Sequence, residues 1–240
     1  MLKKAASGAA KSSLQVIAAC ATSGIVVGML SLTGLGLKLS NIIIGLGKGN
    51  LFISLVCAMV VSMILGMGLP TTAAYIIAAT SVAPALIELG IPNLAAHLFI
   101  LYYASISAIT PPVAVASYAA AGLAEENAMK VGWEAVRLGI VAFIVPFAFV
   151  LNQKLLVVIT GLQIEVVIDL IFAFLTCLSL AFSAQGWLLR DISIFQRGIL
   201  FLTSLIMLSS NNLLCLAGAV VLFALYILNK KLVKTKGMEV

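Results

Sequence analysis

Gly66-Met67-Gly68-Leu69-Pro70-Thr71-Thr72 (GMGLPTT) and Ser105-Ile106-Ser107-Ala108-Ile109-Thr110-Pro111-Pro112 (SISAITPP) are embedded in sequence that is otherwise almost continuously apolar. Glycine admits backbone angles that other residues avoid, and proline removes a helical N–H and clashes one turn back. Each motif therefore interrupts a run that would otherwise form one helix. The chain is 63% hydrophobic and only 9% charged, with a mean hydropathy of +1.23. Ordinary globular chains carry about 25% charged residues, so too few are present here to build a water-facing surface. The fold class expected is an all-α polytopic membrane protein. In a bilayer, non-helical backbone is tolerated only where protein buries it or where it lines a polar cavity. The two breaks thus mark the place where this fold holds polar chemistry.

Working outward, the chain reads as a basic N-terminal segment and first span within residues 1–50, the span itself at 14–37 and a short connection at 38–50. Residues 51–89 read as a re-entrant hairpin turning at 66–69. Fifteen apolar residues before the turn reach only about 22 Å, short of a hydrocarbon core of about 30 Å. A broken helix follows at 93–123, interrupted at Thr110-Pro111-Pro112. Residues 124–153 hold a charged interfacial helix (Glu125 to Arg137) and the next span. Residues 154–240 form a C-terminal extension with spans near 166–188, 198–209 and 213–228.

The net charge of +6 does not gather into a patch interleaved with aromatics, so no nucleic-acid partner is expected. With the N-terminus in the cytoplasm, Lys38, Lys48 and Lys154 fall outside and the other eleven basic residues fall inside. That asymmetry places both termini in the cytoplasm. Cys20, Cys57, Cys177 and Cys215 are scattered through apolar stretches and read as free thiols. There is no HExxH, GxSxG or P-loop, so no enzymatic activity is expected. His97 reads as an interfacial histidine with a local partner, Arg137 and Lys154 as end anchors, and Glu165 and Asp169 as residues of the outer interface.

The chemistry of the breaks follows from proline. Pro70 frees the Gly66 carbonyl from its helical donor; Pro111 and Pro112 free those of Ser107 and Ala108. Thr110, preceding a proline, is pushed to extended geometry. Bare carbonyls beside small hydroxyls suit a hard monovalent cation. The candidate Na⁺ ligands are Gly66, Met67, Thr71, Ser107, Ala108 and Thr110. Pro70 starts a returning half-helix whose N–H groups and dipole favour an anion such as a carboxylate. Candidate substrate contacts are Gly68, Thr71, Thr72, Ser105, Thr110 and Pro111. Discontinuous helices of this kind are the best sequence pointer to a secondary-transporter site. No cofactor is expected beyond the coupling ion, with H⁺ as the alternative to Na⁺.

At GMGLPTTAAYIIAA (residues 66–79), SISAITPPVAVASYAAAGLA (105–124) and MKVGWEAVRLGIVAFIVPF (129–147) the chain resembles the large membrane subunit of the tripartite ATP-independent periplasmic (TRAP) transporters. The nearest likeness is to the fused-permease branch that works with TAXI-type binding proteins. The resemblance runs from about Ser7 to Asn152. It implies a symporter of the bacterial inner membrane that imports organic anions, typically carboxylates, on a Na⁺ gradient by an elevator motion. A periplasmic binding protein would deliver the substrate. It also implies that the Gly66–Thr72 tip and the Ser107–Pro112 break line the substrate and one Na⁺ site. Family members carry two inverted repeats, whereas this sequence holds one, so the first-repeat half is expected in a longer chain or a separate subunit. Two other readings stay open: half of another elevator-type symporter, and a truncated, non-transporting remnant.

Overall fold

The computed structural model describes residues 2–156, 161, 163–209 and 211–236. The side chains of Lys11, Lys234 and Lys236, among the basic residues expected in the cytoplasm, lie outside that description. The helices are α1 (Leu2–Thr33), α2 (Leu35–Gly47), α3 (Leu51–Gly66), α4 (Thr71–Glu88), α5 (Asn93–Ile106), α6 (Val115–Ala124), α7 (Ala128–Leu138), α8 (Ile140–Leu151), α9 (Ile164–Gln185), α10 (Ile194–Ile206) and α11 (Asn212–Lys236). Short 3₁₀ turns follow α5 (Ser107–Ile109) and α8 (Gln153–Leu155). No strand occurs among the described residues, so the all-α class holds. Thr71–Glu88, Ile164–Gln185 and Asn212–Lys231 are long and apolar enough to cross a membrane singly. Much of the last is exposed apolar side chain, including Leu213, Val220 and Phe223. Lipid tails can cover such a surface where water could not.

The chain divides into two compact units, Met1–Trp133 and Glu134–Val240. In the first, α4 packs against α1, α2, α3 and α5. The face it presents is built of small residues: Ala73, Ala74, Ala78, Ala83 and Ala85 are all buried. Small side chains let helix backbones approach closely, which is how helices associate where lipid removes the hydrophobic driving force. Leu55, Phe99, Ile100 and Tyr103 fill the remaining core and are fully buried. Asn50 starts α3 by accepting hydrogen bonds from the Phe52 and Ile53 N–H groups at 2.9 and 3.3 Å.

One sequence expectation is corrected here. Residues 38–50 are not a loose connection, because helix α2 runs from Leu35 to Gly47. Gly34, at φ +66°, bends the chain by 72° between α1 and α2. Ser40 then anchors α2 to α4, its hydroxyl donating to the Ser81 carbonyl at 2.9 Å.

In the second unit, α9 ends at Gly186, whose φ of +75° supplies the left-handed turn that closes a helix. Two arginines hold the carbonyls exposed there. Arg197 donates to Ser183 O and Ala184 O at 2.8 and 3.0 Å, and Arg137 donates to Ala184 O and Gln185 O at 3.1 and 3.0 Å. Cations at a helix C-terminus also meet the negative end of its dipole. Arg137 is thus more than an end anchor. Leu188, Ile192, Leu200, Leu222 and Leu225 form the apolar centre of this unit.

Candidate functional site

The two sequence breaks become two turns in the first unit that touch each other. At the hairpin, α3 stops at Gly66, Met67 is extended (φ −61°, ψ 127°), Gly68 turns at φ +75° and Pro70 caps α4. Pro70 lies one position before the helix, with Thr71 as its first residue. At the second break, α5 tightens into the 3₁₀ turn and Thr110 is extended (φ −102°, ψ 122°), as a residue before proline should be.

Contact between the turns runs through glycine. A Cβ on Gly66 would lie 2.8 Å from Ser107 Oγ and 2.9 Å from the Ala104 carbonyl oxygen, and one on Gly68 would lie 3.5 Å from Val113. Only a residue without a side chain lets the end of α3 settle so closely on the end of α5. From the other direction, Gly132 of α7 lies over Pro111, where a Cβ would approach its ring to 2.9 Å.

The hydroxyls at the second break all donate backwards. Ser105 Oγ gives its proton to Leu101 O at 2.7 Å, Ser107 Oγ to Ala104 O at 2.7 Å, and Thr110 Oγ1 to Ile106 O at 2.8 Å. Their protons are committed to the helix, so what each oxygen can still offer is lone pairs. Ser107 is buried, while Ser105, Ala108, Thr110 and Pro111 are half-buried.

Two of the three carbonyls expected to be bare are not. Gly66 O accepts from Leu69 N at 3.3 Å and Ser107 O from Thr110 N at 3.2 Å, because both turns close with three-residue hydrogen bonds once the four-residue donor is missing. Ala108 keeps the expected state. Its helical donors would come from Pro111 and Pro112, which have no N–H, and no other described backbone group reaches it. Two residues passed over in the sequence complete the turn: Ser117 Oγ donates to Ile109 O at 3.1 Å and Tyr118 Oη to Pro112 O at 2.7 Å. No local sequence signal marks them, since their acceptors are fixed only once the chain doubles back at Pro112.

Thr71 and Thr72 stand exposed at the start of α4, and no hydrogen bond among the described residues joins them to the second break. The first N–H groups of α4 have no side-chain cap, which leaves an open positive helix end beside the tip. His97 meets the Tyr75 hydroxyl at 2.9 Å, the local partner expected of it. All four cysteines are free. Glu165 is exposed and pairs with Lys154 at 2.8 Å, whereas Asp169, expected at the interface, is buried.

The tripartite ATP-independent periplasmic transporter family, DctM component, matches residues 1–164. No curated protein and no solved structure matches the chain. The matched residues include the hairpin, both breaks and the helix that covers Pro111, and they make up more than half of the sequence. This chain therefore belongs to the DctM component family of tripartite ATP-independent periplasmic transporters, the membrane permeases of those systems.

Proposed function

We propose that the chain supplies the C-terminal half of a TRAP-type permease that imports organic anions, carboxylates foremost, by Na⁺ symport. It works in the bacterial inner membrane with both termini in the cytoplasm, receives substrate from a periplasmic binding protein, and is completed by a first-repeat half. The observation that carries this reading is the seat of Gly66 on Ser107 and Ala104. It sets the hairpin tip against a turn whose hydroxyl oxygens have only lone pairs to offer and whose Ala108 carbonyl has lost its helical donors. The same tip starts α4, whose uncapped N-terminus favours an anion nearby. Gly66, Met67, Thr71, Ser107, Ala108 and Thr110 are the Na⁺ candidates; Gly68, Thr71, Thr72, Ser105, Thr110 and Pro111 are the substrate candidates.

The test is thermal unfolding in NaCl against choline chloride at fixed ionic strength, on the purified chain alone and with a first-repeat partner. A ligand at about 100 times its Kd stabilises by about 2.7 kcal/mol, so Na⁺ should raise the midpoint by several degrees. No Na⁺-specific rise in either sample would sink the ion site. In a complete transporter, Thr110→Val should raise the Na⁺ concentration needed for half-maximal uptake about tenfold, the size expected for losing one hydrogen-bond-strength contact to a charge. Insertion into the membrane should be unaffected. Unchanged Na⁺ dependence would mean that the turns only bend the chain.

A further inference from the structure

The second unit contains a cavity of about 410 Å³ between α8, α9 and the end of α10. Its walls are apolar, including Val145, Phe149, Phe172, Leu180 and Met207, and its volume is in the range of small-molecule sites. Among the described residues of the lining, Asp169 alone carries a formal charge, and it is 8% exposed. The family match ends at residue 164, so nothing in it accounts for this carboxylate.

Several other polar groups of the wall have partners. Thr176 Oγ1 donates to Phe172 O at 2.9 Å, and Asn152 Oδ1 accepts from Lys154 N at 3.2 Å. Cys215 Sγ donates to Ser209 O at 3.1 Å, and Ser209 Oγ accepts from Asn211 N at 3.3 Å. The nearby cation, Lys154, is held by Glu165 at 2.8 Å with both side chains half exposed. Lys154, Glu165 and Asp169 together sum to one negative charge. A carboxylate taken out of water is costly unless a cation joins it, and ionisable groups inside a membrane protein mark ligand or ion pathways. A bare metal ion is a poor candidate: it needs several oxygen ligands, and no group of three or more His, Cys, Asp or Glu gathers among the described residues.

We propose that this cavity binds a lipophilic organic cation, its charged head against Asp169 and its apolar body between α8 and α9. The test is equilibrium binding of the full chain in zwitterionic nanodiscs, corrected for partitioning into empty discs. The probes are a naphthylalkyl trimethylammonium ion and its uncharged isostere with a tert-butyl head. The cation should bind at least about tenfold more tightly than the isostere, a difference of about 1.4 kcal/mol. D169N should erase that preference while leaving isostere binding unchanged, which also reports that the cavity is intact. E165Q should keep the preference. Equal binding of the two probes by the unmodified chain would mean that a lipid tail suffices, and it overturns the proposal without needing any variant. A preference that survives D169N, or one that disappears in E165Q, overturns it as well.

Discussion

Gly66→Ala adds one methyl group at the contact between the two turns. Its Cβ would sit 2.8 Å from Ser107 Oγ, 2.9 Å from Ala104 O and 3.0 Å from Ala104 Cα. The serine hydroxyl can rotate away, but the other two atoms are backbone of α5. To restore an ordinary contact of 3.4 Å, α3 and α5 must separate by about 0.4–0.5 Å. Forcing an extra methyl into a packed interior costs about 1–3 kcal/mol, or roughly 2–12 °C in midpoint at this size. On the proposed reading, any Na⁺-dependent part of the stability should shrink with it, since the tip is lifted from the turn. Gly45→Ala is the control: Gly45 is exposed in the last turn of α2 and its Cβ would meet nothing within 4 Å. There alanine should stabilise, by about 0.4–1 kcal/mol, through the entropy of the unfolded chain. The assay is thermal unfolding in detergent with a thiol-reactive fluorophore, for which partly buried Cys57 on α3 reports release of the hairpin. A Gly66→Ala midpoint equal to or above that of the unmodified chain would refute the close seating of tip on break.

Asn50→Ala removes the cap of α3 and should cost about 1 kcal/mol, seen as a lower midpoint with unchanged helical content by circular dichroism. Arg197→Ala leaves the end of α9 without two hydrogen bonds at 2.8 and 3.0 Å. It should lower the midpoint by the equivalent of about 1.5–3 kcal/mol, and Arg197→Lys should recover only part because lysine has no fork. The Glu126 carboxyl lies below its ordinary 4.5, chiefly because the Lys130 side chain donates to it, with the Asn127 N–H second. A lowered folded value gives stability that is present above the ordinary value and lost as pH falls through the folded one. Glu126→Gln should therefore flatten the midpoint–pH curve only on the acid side of about pH 5, and high salt should mimic the substitution. Lys154 is shifted the other way, above its ordinary 10.5, by the hydrogen bond and then the charge of Glu165. Its contribution is present below that value and lost as pH rises through the folded one; Glu165, lowered by the same pair, loses its own as pH falls, so Glu165→Gln should remove a decline at both ends of the pH range.

The helix breaks were legible because glycine and proline act locally: a missing N–H or a positive φ needs no distant partner. The end of α3 and the start of α4 follow within a residue from GMGLP alone. Helix α2 was not legible. Its start depends on one glycine, Gly34, in an apolar run, and the polar residues Lys38, Ser40 and Asn41 resemble a connection until Ser40 is seen bonded to α4. Proline does remove the four-residue donors at both breaks, but tighter three-residue bonds, which no sequence pattern announces, close the turns on Gly66 and Ser107. Ser117 and Tyr118 could not be chosen from sequence, because the chain must double back at Pro112 before their hydroxyls meet its carbonyls. Asp169 and Glu165 share a helix face in sequence. Only the fold separates an exposed acid held by Lys154 from a buried one in an apolar cavity.

The inward-donating hydroxyls of the second break have a consequence for proton chemistry. Neither Gly66–Thr72 nor Ser105–Pro112 contains an aspartate, glutamate, histidine, lysine or arginine. Every polar atom that these two turns present is an amide or an alcohol, and neither kind changes its protonation at physiological pH. A proton passing these two turns would find no base on which to dwell, while a monovalent metal ion would find oxygen lone pairs. Any acid–base step of transport would have to use a titratable group outside these two turns.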